Sequence, residues 1–132
     1  MVIGALGDIV FQVSAETVET INKVVWSGAA RYAKQDRHLI DSLTEFTGLE
    51  PDSISFEMEL SAYLGVDPLS EIIKIWQYER TGKTLVFIIG DKSFGKYRWV
   101  IEKHQVKMKN FGKGGKLMAA TVSINLLEYT QV

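Results

Sequence analysis

Cysteine is absent from this 132-residue chain. That excludes a disulfide framework, a thiolate zinc site and any cysteine nucleophile. Histidine occurs twice, as His38 and His104, and neither is spaced from a carboxylate or serine as a metal site or a base–nucleophile pair requires. The longest apolar stretches, such as residues 85–89, are far too short to span a bilayer. No cationic region precedes an apolar one at Met1-Val2-Ile3-Gly4, so no secretory signal is expected. What remains is ordinary: a hydrophobic fraction of 46% and a charged fraction of 23%. These imply one domain over residues 1–132, burying roughly 65–70% of its unfolded surface. The expectation is a soluble protein folded in a reducing cytoplasm.

Charge is divided along the chain. Residues 1–91 carry fourteen acids against seven bases, a net of −7. From Lys92 to Lys116 eight bases face one acid, Glu102, a net of +7, and the last sixteen residues add only Glu128. A molecule acidic in one part and basic in another can attract copies of itself, or offer a cationic hairpin to an anionic partner.

Two strands are legible from their period. In residues 54–62 the even positions (Ile54, Phe56, Met58, Leu60, Ala62) are apolar and the odd ones polar, which is a strand with one wet face. Near the C-terminus Met118, Ala120, Val122, Ile124 and Leu126 alternate with Thr121, Ser123 and Asn125. In Tyr97-Arg98-Trp99-Val100-Ile101 the apolar residues begin at odd positions, but by Val106 and Met108 they are even. That shift predicts a β-bulge between Glu102 and Gln105, or a sheet that leaves a barrel edge there.

The run Phe111-Gly112-Lys113-Gly114-Gly115-Lys116 predicts a hairpin, with three glycines supplying positive φ angles. A shorter reversal is expected at Gly90-Asp91-Lys92-Ser93, giving an antiparallel meander over the C-terminal third. A strand over 7–14 and weaker strands near 29–33 and 42–46 would complete the sheets. A helix is predicted over about 67–80, with Asp67 as N-cap, Pro68 first, Glu71 in the first turn and Gly82 as the stop. Leu69, Ile72, Ile73 and Trp76 would form its buried stripe, and a short helix is expected over 15–23. The fold class is mainly β (α+β): an antiparallel β-sandwich or partly closed barrel with one flanking helix.

Several motifs imitate chemistry. Gly82-Lys83-Thr84 ends like a phosphate-binding loop, but the position five before Gly82 is Gln77 and a helix leads into a strand, the inverse of that motif. His104 reads as a wet residue of a cationic strand. Glu57 and Glu59 share a strand face, as a carboxylate pair would, but residues two apart on an exposed strand more often serve solubility or engage a neighbour. Trp76 and Trp99 fit core positions. No residue set points to catalysis, a cofactor, a metal or a small-molecule substrate.

The cationic hairpin is different. Lys103, Lys107 and Lys109 lie on one strand face, Lys113 and Lys116 crown the turn with Phe111, and Arg98 begins the strand. Together with Glu57 and Glu59 these are the candidate assembly-interface residues. A small nucleic-acid-binding β-domain is the rival reading, although aromatics for base stacking are few.

The chain resembles a known family. Ile3-Gly4-Ala5-Leu6-Gly7-Asp8-Ile9-Val10-Phe11 is similar to the start of gpU-type tail proteins of contractile-tailed phages. So are Ser27-Gly28-Ala29-Ala30-Arg31-Tyr32-Ala33 and Leu43-Thr44-Glu45-Phe46-Thr47-Gly48. Leu60-Ser61-Ala62-Tyr63-Leu64-Gly65-Val66-Asp67-Pro68 and Gly95-Lys96-Tyr97-Arg98-Trp99-Val100-Ile101-Glu102 follow in order. The resemblance departs at Leu39-Ile40-Asp41-Ser42, where a lysine–proline step is expected. It implies a structural subunit with a tail-tube-like fold, assembled in the bacterial cytoplasm into a phage tail or an R-type bacteriocin. It further implies a homo-oligomeric ring of about six, at the baseplate end between the central hub and the tail tube, or a tail-terminator ring at the other end. The implied partners are copies of itself, the tube, the hub and the tape measure, with nucleic acid only as passing cargo and no membrane.

Overall fold

A computed structural model describes residues 2–13, 18–37, 40–90, 92–93, 95 and 98–129. The alternation read from the sequence sets its centre. β6 (Ser53–Ser61) and β10 (Leu117–Tyr129) pair antiparallel. Ile54 lies opposite Leu126, Phe56 opposite Ile124, Met58 opposite Val122 and Leu60 opposite Ala120. All eight are buried, because a pleated strand sends alternate side chains to one face. Ser55, Glu57 and Glu59 meet Asn125, Ser123 and Thr121 on the other face.

β9 (Arg98–Phe111) flanks β10. Trp99 and Ile101 are buried, and then the register slips: Ile101 faces Leu126 while Lys103 faces Asn125, leaving Glu102 unopposed. This is the expected bulge, at the first residue of its predicted window, and it turns Val106 toward the core. The hairpin turn is also present, but Gly114 and Gly115 alone have positive φ, 72° and 79°. Gly112 is extended; a Cβ there would press on Met118.

β3 (Val18–Ser27) lies on the far side of β6. The helix expected over 15–23 is therefore absent from Val18 onward, while residues 14–17 fall outside the described residues. Pairing with β6 prevails over a weak helical pattern. Near the N-terminus β1 (Val2–Leu6) and β2 (Ile9–Val13) form a hairpin turned at Gly7, φ 59°. The single strand expected over 7–14 is thus the second arm of that hairpin. β7 (Phe87–Ile89) pairs with β1 and with β8 (Lys92–Ser93), so Gly90 reverses the chain as expected.

The eight-stranded order is β8-β7-β1-β2-β3-β6-β10-β9, antiparallel throughout. The C-terminal meander is corrected by this order: β7 joins the N-terminal hairpin, not β9. One bridge links them, Leu85 and Trp99 exchanging backbone hydrogen bonds of 2.7 Å. Among the described residues no sheet closes into a barrel. The sheet folds over a core in which the Phe56 and Phe87 rings stack at 5.3 Å and Phe11 meets both edge-on.

α1 (Pro68–Thr81) covers part of this core and packs on β9, β10 and β6. Gly82 stops it in the left-handed region, φ 63°, which fits a helix end rather than a phosphate loop. Asp67 stands at the N-cap without a side-chain capping bond. The predicted buried stripe is wrong. Pro68, Ile75 and Tyr78 are buried and Ile72 packs beside them, whereas Leu69, Ile73 and Trp76 remain 50%, 42% and 44% exposed. Polar partners orient the helix: the Asp8 N–H donates to the Tyr78 hydroxyl at 3.2 Å, and Glu79 pairs with His104.

Among the described residues β4 (Ala30–Arg37) and β5 (Ile40–Leu49) pair only with each other. The two weaker strands exist, but they form a separate ribbon instead of completing the main sheet. Its Tyr32 and Phe46 rings meet edge-on at 5.6 Å and are both more than half exposed. Such a two-stranded ribbon is marginal in water without a further partner.

Gly4 shows how tightly the N-terminal hairpin is seated. A Cβ there would lie 2.1 Å from the Ile88 carbonyl oxygen, a backbone atom that cannot turn aside. Gly4→Ala is expected to lower stability by about 1–3 kcal/mol, read as a lower urea midpoint at unchanged slope.

Candidate assembly surfaces

The sheet β3-β6-β10-β9 has one dry face and one wet one. The wet face is built from Asn22 on β3, Ser55, Glu57 and Glu59 on β6, Thr121, Ser123 and Asn125 on β10, and Lys103, Gln105 and Lys107 on β9. Glu57 pairs with Lys23 at 3.4 Å, and Glu59 with Lys109 at 3.5 Å while accepting from the Thr121 hydroxyl at 3.3 Å. Each carboxylate answers to a different lysine, so the two do not act as a dyad. A broad face of hydroxyls, amides and balanced charge favours water over an apolar neighbour.

The structure divides the predicted residues into groups. Lys103 and Lys107 do share the wet face, opposite Asn125 and Thr121. Lys109 sits at a second slip in register, between Met108 and Asn110, and reaches Glu59. Lys113 and Lys116 are exposed in the turn, and exposed Arg98 lies opposite Tyr129 at the far end of β9. Phe111 lines an apolar cleft of about 310 Å³ with Leu69, Met108 and Leu117. His104 is corrected: it is half-buried, its Nδ1 against Glu79 of α1. Trp99 is fully buried as expected, whereas Trp76 is a surface residue beneath the Arg80 guanidinium, 4.0 Å from its ring centre. His38 lies outside the described residues.

The edges of this sheet were not foreseen as a pair. Beyond the bridge at Trp99, the outer edge of β9 meets no other strand among the described residues. Among the described residues β3 is flanked by β2 at Val18 and Glu19 alone, so its stretch to Ser27 has one open side as well. Both edges are interrupted: β9 by Glu102, and β3 by Lys23 and Val24 crowded between Asn22 and Val25, with Lys23 at φ 54°. Bulges and lysines on an open strand restrain indiscriminate pairing.

One buried group carries no mark in the sequence. Glu19 is 4% exposed and faces Glu71 of α1, which Lys74 holds at 3.2 Å. Burial, then the charge of Glu71 and a hydrogen bond to it, push the Glu19 carboxyl up to about 8. It is thus largely protonated at neutral pH. Burial also raises the Tyr78 hydroxyl. An acid set among β-branched and apolar residues gives no sequence signal of its own burial.

The sheet thus has one wet face and two partly open strands, and the sequence profile of the Phage P2 GpU family matches residues 7–131. The chain belongs to the Phage P2 GpU family. The suspected gpU-type kinship is thereby borne out, and membership makes this GpU-family chain a structural protein of the phage tail. No curated protein matches it.

Proposed function

We propose that this GpU-family protein is a ring subunit of a contractile phage tail or a phage-tail-like bacteriocin. About six copies join head to tail at the baseplate end, between the central hub and the tail tube. One observation supports the reading: among the described residues, β3 past its pairing with β2 at Val18 and Glu19, and β9 past its bridge at Trp99, leave two open strand segments that flank β6 and β10 and run in opposite directions. β9 of one copy laid beside β3 of the next therefore continues the antiparallel order, and a heterologous contact of that kind repeats until it closes. Six sets of β3, β6, β10 and β9 give roughly 24 strands, wide enough for an open channel. The polar face of Ser55, Ser123, Asn125 and their neighbours then lines a wet lumen suited to a tape measure and to passing cargo. No step of this role involves catalysis.

Lys103, Lys107 and Lys109 lie on the joining edge. Changing all three to Glu places like charges near Glu57 and Glu59 and removes the Lys109–Glu59 pair. The expected outcome is at least a tenfold fall in intact particles counted by electron microscopy, with the far-UV circular dichroism of the free chain unchanged. Normal particle numbers would contradict the reading.

A further inference from the structure

We propose that the Glu19–Glu71 carboxyl pair is a proton-held latch: it seats the first half of α1 on the sheet, and loss of its proton frees that half while the strands stay folded. The proposal is independent of the ring reading above. Glu19 stands at a corner of the fold. Its backbone pairs with Gln12 of β2, while the next residue, Thr20, pairs with Glu59 of β6. α1 reaches this corner and is held by polar contacts toward both ends. Glu71 in its first turn meets Glu19. In its last two turns the Tyr78 hydroxyl accepts from the Asp8 N–H, and Glu79 pairs with His104. Between these tethers Ile72 and Ile75 pack on the core.

The surroundings of the pair suit a latch. Glu19 is 4% exposed and the Glu71 side chain 14%. Glu19 Oε1 and Glu71 Oε2 are buried without a hydrogen-bond partner among the described residues. Ionised carboxylates only accept, so the hydrogen bond between the two exists only while a proton is held. Lys74 reaches Glu71 from the solvent side, at 3.2 Å and 40% exposed, and answers one negative charge, not two. The neighbouring elements do not answer the second. Gln12 and Val13 of β2 carry no charge, and Asp8, beside Tyr78, is itself an acid. Lys83 stands over the Tyr78 ring at 5.4 Å. On β6, Glu57 and Glu59 bond lysines of the wet face, and His104 of β9 is engaged by Glu79. An ionised Glu19 is therefore a buried charge without compensation, relieved when the start of α1 lifts into water. The ionisation of Glu19 near 8 instead of 4.5 agrees with this geometry.

Amide hydrogen exchange of the free chain from pH 5 to 9, corrected for the intrinsic base-catalysed rate, tests the latch. Protection at Ile72, Ile73, Lys74 and Ile75 is expected to fall about tenfold per pH unit up to about 8 and then level off, the slope of one released proton. At every pH these amides should exchange at least tenfold faster than the protected amides of β6 and β10, because they open without unfolding the sheet. Glu19→Gln should abolish the slope. Glu71→Gln gives Glu19 an amide donor and removes the neighbouring charge, so the slope should end at lower pH. His104→Gln should leave it in place. Helix amides that exchange in step with those of β6 and β10 would report global unfolding and overturn the latch. So would a slope that survives Glu19→Gln, or one that disappears with His104→Gln.

Discussion

Trp99→Ala is expected to cost about 3–5 kcal/mol, a large part of the roughly 5–15 kcal/mol that a domain commonly has. The side chain is fully buried, its ring meets Trp26 edge-on at 6.2 Å, and its backbone makes both hydrogen bonds of the bridge to Leu85. Removing it opens a cavity where β9 meets the strand segment leading to β7. Urea unfolding followed by circular dichroism measures the loss without depending on tryptophan fluorescence. Trp76→Ala is the internal comparison: with Trp76 44% exposed, truncation should cost under about 1 kcal/mol in the free chain. Equal losses at the two positions would contradict the burial assigned to them.

The second large effect depends on pH. Glu19 ionises near 8 in the folded chain, against 4.5 for the unperturbed group. A raised acid pKa means that the unfolded chain releases this proton first. Its stabilising contribution is then complete below about 4.5, declines as pH rises, and is gone above about 8. Glu19→Gln removes the titration while keeping the side chain's size. The variant should match the parent near pH 4 and exceed it at pH 8–9 by on the order of 2–4 kcal/mol. That range follows because each tenfold change in proton affinity is worth about 1.4 kcal/mol and Glu71 takes part in holding the proton. Urea midpoints across this range provide the check. A parent whose stability is flat from pH 5 to 8, or a variant no more stable at pH 8, would contradict the buried carboxyl pair.

Strands were legible where one face is dry. In β6, and in β10 from Ala120 to Leu126, the period of two holds, whereas at the start of β10 the register slips and Leu117 is buried instead of Met118. The change of parity in β9 marked a bulge between Glu102 and Gln105, because burial on a pleated sheet leaves that mark in sequence. Pairing between distant segments left no comparable mark. Nothing in the sequence near Phe87 says that its strand lies against β1. Nor does Val18-Glu19-Thr20-Ile21 reveal that its backbone bonds go to β2 and β6. The helix shows the limit from another side. Its ends were written in Pro68 and Gly82, but two apolar stripes overlap on it. Which one turns inward was decided by Asp8, His104 and Glu19, residues remote in sequence. The leftover stripe at Leu69, Ile73 and Trp76 became visible only once the core was seen to be complete without it. Among the candidate interface residues the lysines of β9 could be found because they repeat on one face. Their counterpart on β3 could not, since an open edge is a property of the sheet and not of any residue.

The most direct test is an electron cryomicroscopy map of the assembled particle, at a resolution that separates strands. The account predicts β9 of one copy hydrogen-bonded antiparallel to β3 of the next around a closed ring, with Ser55, Ser123 and Asn125 facing the lumen. A map in which β9 borders solvent, or in which that polar face lies on the outside of the ring, would contradict it.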